Sequence, residues 1–176
     1  MKTGRPAAGV RGPRELTAKL PVNPPNPTRS SLVHAGWHKI GFLQIDGLTM
    51  TVFIKVVLFT DTDGRAKFRE ESVALAEGSP QSMLSAVFPS GGYQLRHSPL
   101  GFRSQFHCTT TPQWVFILEG DMEIGLRGGV SRVFKPGEHF FSADVLPNGA
   151  SFDATVHGHW SRQVGPDPLT TLFVRA

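Results

Sequence analysis

Cysteine is almost absent from this chain of 176 residues, in which Cys108 is the single example. One thiol cannot form a disulfide within the chain, so the sequence excludes a small secreted scaffold held together by disulfides. A chain with this cysteine usage is typical of a reducing compartment, and we expect a cytoplasmic protein.

Long apolar runs are also missing. No run of about 18 uncharged apolar residues, the length that a membrane-spanning helix needs, occurs in the sequence. The longest candidate, residues 51–59, is interrupted by Lys55. Prolines and glycines near the N-terminus occupy the place where the apolar core of a secretory signal would lie. We therefore expect neither a membrane partner nor a secretory signal.

Acidic residues are scarce in the first quarter of the chain. Residues 1–45 contain seven Lys and Arg against Glu15 alone, a balance of +6, whereas the whole chain has 18 basic and 14 acidic residues. Residues 46–176 therefore carry a balance of −2. The pI near 9.6 would normally favour nucleic-acid binding, but it describes the N-terminal segment only. We expect no nucleic-acid partner.

The N-terminal segment holds little that could form a core. Residues 1–31 include six of the 14 prolines and few large apolar side chains, so burial cannot offset the entropy of ordering. We predict a flexible basic leader and linker over residues 1–45 and one domain over residues 46–176. Three interpretations of the leader stay open: a transit peptide, which its Pro and Gly content disfavours, a nucleic-acid-binding arm without interleaved aromatics, or a true start at Met50.

The remaining chain has the pattern of short strands separated by turn sequences. Only residues 80–84 resemble a helical turn. Many short strands with closely spaced Gly, Pro and Asp turns are typical of an all-β sandwich or barrel. The predicted strands cover residues 49–60, 67–76, 83–88, 93–97, 102–109, 113–119, 122–127, 131–135, 139–143, 155–164 and 170–175.

Two groups of residues within 83–176 resemble the two sequence motifs of the cupin superfamily. His107 precedes Gln113 by six residues, and Gln113 precedes Gly120 by seven, as in the first motif. His159, followed by a Gly-Pro-Asp-Pro turn and an apolar strand, matches the histidine of the second motif. The resemblance implies a small single-domain cupin with a jelly-roll barrel, also called a double-stranded β-helix.

The first motif departs from the family pattern at two positions. Cupins with a full metal site have a second histidine where this chain has Thr109, and a glutamate where it has Gln113. The neutral amide oxygen of Gln113 is a poorer donor to a divalent cation than a carboxylate. The resemblance therefore implies a degenerate metal-binding motif.

Strand periodicity still predicts a cluster of polar side chains inside the barrel. With a period of two, Gln105, His107 and Thr109 share one face of a strand, and His157 and His159 share a face of another. The candidate metal ligands are His107, Gln113 and His159, with His157 as a substitute. Such a set would suit zinc, iron, nickel or copper. The alternative is a polar pocket satisfied by hydrogen bonds and water, without a metal.

Other residues complete the predicted pocket. Gln105, Thr109, His157 and Arg103 are its candidate lining, and either Arg103 or Arg96 would attract a carboxylate at the barrel mouth. We predict that Cys108, which alternates with its neighbours, faces outward, and that His139 lies at a turn or at the rim.

Three functions are compatible with this pattern. The first is a binding cupin that holds a small organic molecule in the barrel. The alternative is a metal-dependent cupin enzyme, an isomerase, lyase, cyclase or dioxygenase acting on a small substrate. A third is a dimeric interaction module, since the strands over residues 51–76 could form an exposed sheet edge. We expect a homodimer. Fold alone does not choose between these functions.

Overall fold

The computed structural model describes residue 1, residues 40–45 and residues 48–176. Within these ranges the chain forms strands and turns and no helix, so the prediction of an all-β fold is confirmed. The strands of the described chain are β1 (Ile40–Ile45), β2 (Leu48–Thr60), β3 (Ala66–Ala74), β4 (Glu77–Ser79), β5 (Ser82–Leu84), β6 (Tyr93–Ser98), β7 (Gln113–Glu119), β8 (Asp121–Gly125), β9 (Ser131–Phe134), β10 (His139–Ala143), β11 (Trp160–Val164) and β12 (Leu169–Arg175).

These strands form two main sheets. The larger sheet has the order β1-β2-β10-β7-β12-β6, with β3 also paired to β2. The smaller sheet has the order β11-β8-β9, and β4 and β5 form a separate hairpin. The pairing of β10 with β2 is parallel, and the other described pairs are antiparallel.

The long hairpin of β2 and β3 follows from its sequence. β2 is rich in β-branched and aromatic residues, and a turn sequence separates it from β3. In that turn, the amide of Gly64 donates to the carbonyl of Asp61 at 2.9 Å, and Gly64 has a φ of 79°. Glycine adopts this conformation at little cost, so the turn reverses the chain here.

One hydrophobic core lies between the two main sheets. In β7, Val115 and Ile117 are buried and point into this core. Val115 lies opposite Phe140 in β10 and Phe173 in β12, which places these residues on the same face of the larger sheet. The core residues are Val56, Leu58, Ala66, Val115, Ile117, Met122, Ile124, Leu126, Phe134, Phe140 and Leu169.

The structure corrects some predicted boundaries. Residues 40–45, which we assigned to the leader and linker, form β1 and pair with β2. The rest of the predicted leader, residues 2–39, lies outside the described residues, as do residues 46–47. The helical turn predicted at residues 80–84 is wrong, because Ser79 pairs with Ser82 in the β4–β5 hairpin.

The predicted strand 102–109 is not formed, and the predicted strand 155–164 is shorter in the structure. Residues 102–109 contact their neighbours through isolated bridges, and β11 begins only at Trp160. The described part of the chain has no helix of the length and hydropathy that crossing a membrane would require.

Candidate functional site

The histidines of the two sequence motifs meet across an isolated bridge. The amide of His107 donates to the carbonyl of His159 at 2.9 Å, and the amide of His159 donates back at 3.0 Å. The centroids of the two imidazole rings are 4.5 Å apart. The fold therefore brings together two of the predicted metal ligands that are separated by about half of the domain.

Gly158 makes this approach sterically allowed. A Cβ at this position would lie 2.3 Å from the carbonyl oxygen of His107, far inside van der Waals contact. Its φ of 77° also lies in the region that residues with a side chain rarely adopt. The close pairing of His107 and His159 thus requires glycine at residue 158.

A buried carboxylate holds the ring of His159. Nδ1 of His159 lies 2.6 Å from Oδ2 of Asp144, whose side chain is fully buried. The other carboxylate oxygen, Oδ1, accepts from the hydroxyl of Thr109 at 2.5 Å, and Thr109 is 2.6 Å from Oγ of Ser142. Because a carboxylate can only accept, Nδ1 of His159 carries the proton and Nε2 is left as an acceptor.

The ring of His107 has a similar arrangement. Its Nδ1 lies 2.9 Å from the carbonyl oxygen of Gln105, so Nδ1 donates and Nε2 is the acceptor in the neutral ring. Partial burial against its neighbours lowers the pKa of His107. Electrostatic interaction with His159 and Arg96 lowers this pKa further, while the hydrogen bond to Gln105 and the charge of Asp144 raise it. The neutral ring is therefore favoured.

Gln113 faces the same interior. It opens β7 and lies opposite Ser142 in β10, so its side chain shares the face of Ser142 and of the core residue Val115. Within the described part of the chain, Gln113 makes no hydrogen bond to His107 or His159.

The cluster fits part of a metal site. His107 and His159 each leave Nε2 for a ligand, which is the donor that transition metals prefer in proteins. No group of three His, Cys, Asp or Glu side chains within the described residues could hold a metal ion. The donor types fit a transition metal, but the number of strong donors falls short of a complete site.

His157 does not join this cluster. Its Nδ1 accepts from the amide of Asp153 at 2.9 Å, and its ring lies beside the Gly64 turn. The prediction that His157 shares a strand face with His159 is wrong, because residues 154–156 form a turn and Gly158 interrupts the extended backbone. The period of two does not apply across a residue with positive φ.

Arg103 also lies outside the cluster. It forms an isolated bridge with Arg162, and its guanidinium stacks over the ring of Trp160 at 4.9 Å from the centroid. Trp160 alternates with the buried Ser161, so this stack lies on the outer face of the smaller sheet. The assignment of Arg103 to the pocket lining is therefore wrong; Arg96, the other arginine considered at the barrel mouth, lies on the interior face of β6.

Comparison with known proteins gives likenesses in fold. No family model matches the chain, and no curated protein matches it. Among solved structures, it is similar to the cupin domain of Cnp3 from Schizosaccharomyces pombe, at 15% identity over 71% of this chain and 83% of that one, with a TM-score of 0.37. It is also similar to a Ralstonia eutropha protein with the provisional name mannose-6-phosphate isomerase, at 16% identity over 70% and 83%, with a TM-score of 0.29.

The placement of the two motifs within the sheets supports the resemblance more directly. His107 and His159 pair with each other, Gln113 opens β7, and Gly120 with a φ of 68° turns the chain into β8. The two sheets enclose one core; His107, Gln113 and His159 lie near one end of β7, and Gly120 follows its other end. This all-β arrangement of the motif residues resembles that of a cupin.

Sequence reasoning missed the polar residues that support His107 and His159. Ser142 lies near the end of β10, and Asp144 directly follows this strand. Both precede His159 by 15 or more residues. The signal available was an acidic residue directly after the strand 139–143, next to apolar residues on both sides. Thr109, a predicted pocket residue at the position where the family's second histidine would stand, donates its hydroxyl to Asp144.

Two further predictions concern residues outside the polar cluster. The pKa of Cys108 is raised by burial and by the charge of Asp144, so its thiol is not activated as a nucleophile. His139 is buried rather than at an exposed turn, and its ring stacks on Phe53 with centroids 4.9 Å apart.

The domain also has a cavity on the outer face of the larger sheet. Its volume is about 510 Å³, within the range of small-molecule sites. Its walls are mainly aromatic and aliphatic, and Trp114 and Phe116 of β7 face it while Val115 faces the core. This second concave surface was not predicted from the sequence.

Proposed function

We propose that this cupin domain binds a small organic molecule at the polar end of its interior, in contact with His107 and His159. The observation that supports this proposal is the orientation of the two rings. Both Nδ1 atoms have partners, the carbonyl of Gln105 and the carboxylate of Asp144, so in the neutral rings both Nε2 atoms are acceptors, and the ring centroids are 4.5 Å apart. A hydroxyl or amide of a ligand would donate to them.

The accessibility of the cluster is consistent with ligand entry. His107 is exposed, whereas His159 is 5% exposed and Asp144 is fully buried. The polar groups therefore run from the surface into the interior, and a ligand would meet His107 first.

Fragment screening by ligand-observed NMR tests this function. We expect neutral polar fragments to bind the wild-type protein, and a His107→Ala substitution to weaken them by about tenfold, the loss of one or two hydrogen bonds. His97→Ala is the matched control, because His97 is an exposed histidine of β6. Fragments that bind the outer aromatic cavity instead would be unaffected by His107→Ala, and that result would contradict the proposal.

A metal-dependent cupin enzyme is the second candidate. The pair of Asp144 and His159 favours it, because histidines that bind metals usually donate their other ring N–H to a carboxylate or carbonyl. His107, His159 and the amide oxygen of Gln113 would hold zinc, iron, nickel or copper. The metal would supply Lewis-acid polarisation of a substrate in an isomerase, lyase, cyclase or dioxygenase reaction.

Elemental analysis of the purified protein by mass spectrometry distinguishes the two candidates. A stoichiometric metal that is lost in His107→Ala would support the enzyme. Metal-free wild-type protein would overturn it and leave the binding function.

We further propose that the chain is a cytoplasmic homodimer. β1 ends the strand order of the larger sheet and exposes Phe42, and Leu48 at the start of β2 is exposed as well. An apolar sheet edge of this kind favours pairing with a second copy. Light scattering after size-exclusion chromatography should give a dimer that Phe42→Ser weakens, and a monomer at high concentration would contradict the proposal.

A further inference from the structure

Arg96, which the sequence offered with Arg103 as a residue that would attract a carboxylate, is a cationic side chain of the interior. Arg96 lies on β6 directly opposite Thr171 of β12, and Ser98 of the same β6 face lies opposite Leu169. Both Leu169 and Thr171 are fully buried. Arg96 is therefore on the interior face of the larger sheet, as are the core residues.

Arg96 has buried donors without partners. Its Nε and Nη2 atoms are buried, and neither has a hydrogen bond within the described residues. The hydroxyl of Thr171 is buried and unpaired in the same way. Buried polar groups normally have partners, because leaving a charged donor unpaired costs several kcal/mol. Two neighbouring unpaired groups on one face indicate a binding position.

Aromatic rings accommodate only part of this charge. The guanidinium lies 5.2 Å from the centroid of Phe102 and 4.8 Å from that of Phe173. Contacts with ring faces attract the cation but leave the in-plane N–H groups unsatisfied. Burial lowers the pKa of Arg96, which shows that no described carboxylate offsets the loss of water.

The two unpaired nitrogens define the shape of the missing partner. Nε–H and one Nη2–H lie on the same edge of the planar guanidinium and point in parallel. A carboxylate presents two oxygens at matching spacing, so it accepts both bonds at once. The hydroxyl of Thr171, across the strand pair, can donate a third.

We propose that the ligand of the barrel carries a carboxylate bound by Arg96 and Thr171. This inference rests on the binding function proposed above and specifies the chemistry of its ligand. The rings of Phe102 and Phe173 would contact the apolar body of the ligand, and the Nε2 atoms of His107 and His159 its remaining polar groups.

The position of Arg96 also bears on the metal hypothesis. The charge of Arg96 acts on His107, so the two groups share one electrostatic environment. A positive charge that acts on His107 favours an anion beside it and disfavours a divalent cation.

Isothermal titration with benzoate and its uncharged analogue benzamide tests the inference. We expect benzoate to bind the wild-type protein in a saturable manner and benzamide to bind at least about tenfold more weakly. Arg96→Gln should weaken benzoate by about tenfold or more, and Thr171→Val by a smaller factor. Arg103→Gln is the matched control, because Arg103 is an arginine of the outer face.

Arg96→Lys is a second variant for the case that Arg96→Gln fails to fold, because lysine keeps the positive charge. Lysine lacks the planar edge of the guanidinium, so this variant too should bind benzoate more weakly. Benzoate that binds wild type and both Arg96 variants equally would overturn the inference. If benzoate does not bind while neutral fragments bind in a manner that depends on His107, the inference of a carboxylate ligand is wrong and the proposed binding function stands. If neither benzoate nor any fragment binds, both proposals fall.

The stability of the ligand-free protein gives an independent readout. If Arg96 stabilised the fold, its replacement would lower the stability of the protein. An unpaired buried cation instead destabilises the folded state, so its replacement should not. We expect Arg96→Met to raise or preserve the melting temperature of dialysed protein, and to abolish the rise that benzoate produces in wild type. A lower melting temperature for Arg96→Met without benzoate would overturn the inference.

Discussion

Nδ1 of His159 lies 2.6 Å from Oδ2 of Asp144, in a part of the barrel where both side chains are buried. The second oxygen of that carboxylate is taken by Thr109. Asp144 thus connects the second sequence motif to the first through side chains, while the bridge to His107 connects them through the backbone. The ring orientation of His159 is set by the protein itself, before any ligand binds.

Replacement of this carboxylate should be costly. Asp144→Asn keeps the shape but removes the charge that accepts from both His159 and Thr109. We expect the free energy of unfolding to fall by about 1–3 kcal/mol, as for other buried hydrogen-bonded groups. Urea denaturation measures it, with the exposed Asp167→Asn as control. Equal stability of the Asp144 variant and wild type would show that the network is not formed.

The steric role of Gly158 can be separated from its backbone conformation. Gly158→Ala should lower the free energy of unfolding by more than about 1 kcal/mol, because it adds both positive-φ strain and a clash with the carbonyl of His107. Gly149→Ala is the control, since Gly149 has a φ of 75° but no atom near a Cβ there. The difference between the two variants in thermal denaturation isolates the clash, and no difference would contradict the close approach.

Stability should depend on pH through His107. Its pKa in the folded state is lower than the ordinary value of 6.5, chiefly because of burial. The unfolded chain therefore takes up a proton first as the pH falls, and stability is lost below about pH 6.5. His107→Gln should flatten the plot of melting temperature against pH between pH 7 and 5, while His97→Gln serves as an exposed control. An unchanged slope in His107→Gln would refute this.

The location of the core predicts an asymmetry between phenylalanines. Phe134 is fully buried and its ring centroid is 4.6 Å from that of Phe140. Phe134→Ala should lower the free energy of unfolding by about 3–5 kcal/mol through lost burial and the resulting cavity. Phe152 is 44% exposed, so Phe152→Ala should cost less than about 1 kcal/mol in the same denaturant titration. Similar losses for both would place the core elsewhere.

Local patterns in the sequence were sufficient for the class of fold and for part of the site. Alternation and turn residues specify strands because they act over a few neighbouring residues. The motif spacing singled out His107 and His159, which form a bridge in the structure, and strand parity singled out Thr109, which binds Asp144. These residues are the ones whose positions follow from strand parity and motif spacing.

The rest of the site depends on long-range geometry. Asp144 reaches His159 only because the chain after β10 crosses to the other motif, and no local pattern encodes that contact. His157 was misplaced because one glycine changes the direction of the backbone between it and His159. The sequence could not distinguish Arg96 from Arg103. The register of β6 with β12 places Arg96 on the inner face, and the bridge to Arg162 places Arg103 on the outer face.

The bridge between His107 and His159 has a consequence for how the barrel exchanges with its surroundings. It has two backbone hydrogen bonds, and the same two segments pair again only at the bridge of Arg103 with Arg162. This pairing is much shorter than the ladder between β2 and β3, so fewer hydrogen bonds must break to open it. In hydrogen–deuterium exchange the amides of His107 and His159 should open together and sooner than those of β2. Opening of the bridge between His107 and His159 would admit a solute to the interior while the two main sheets remain intact.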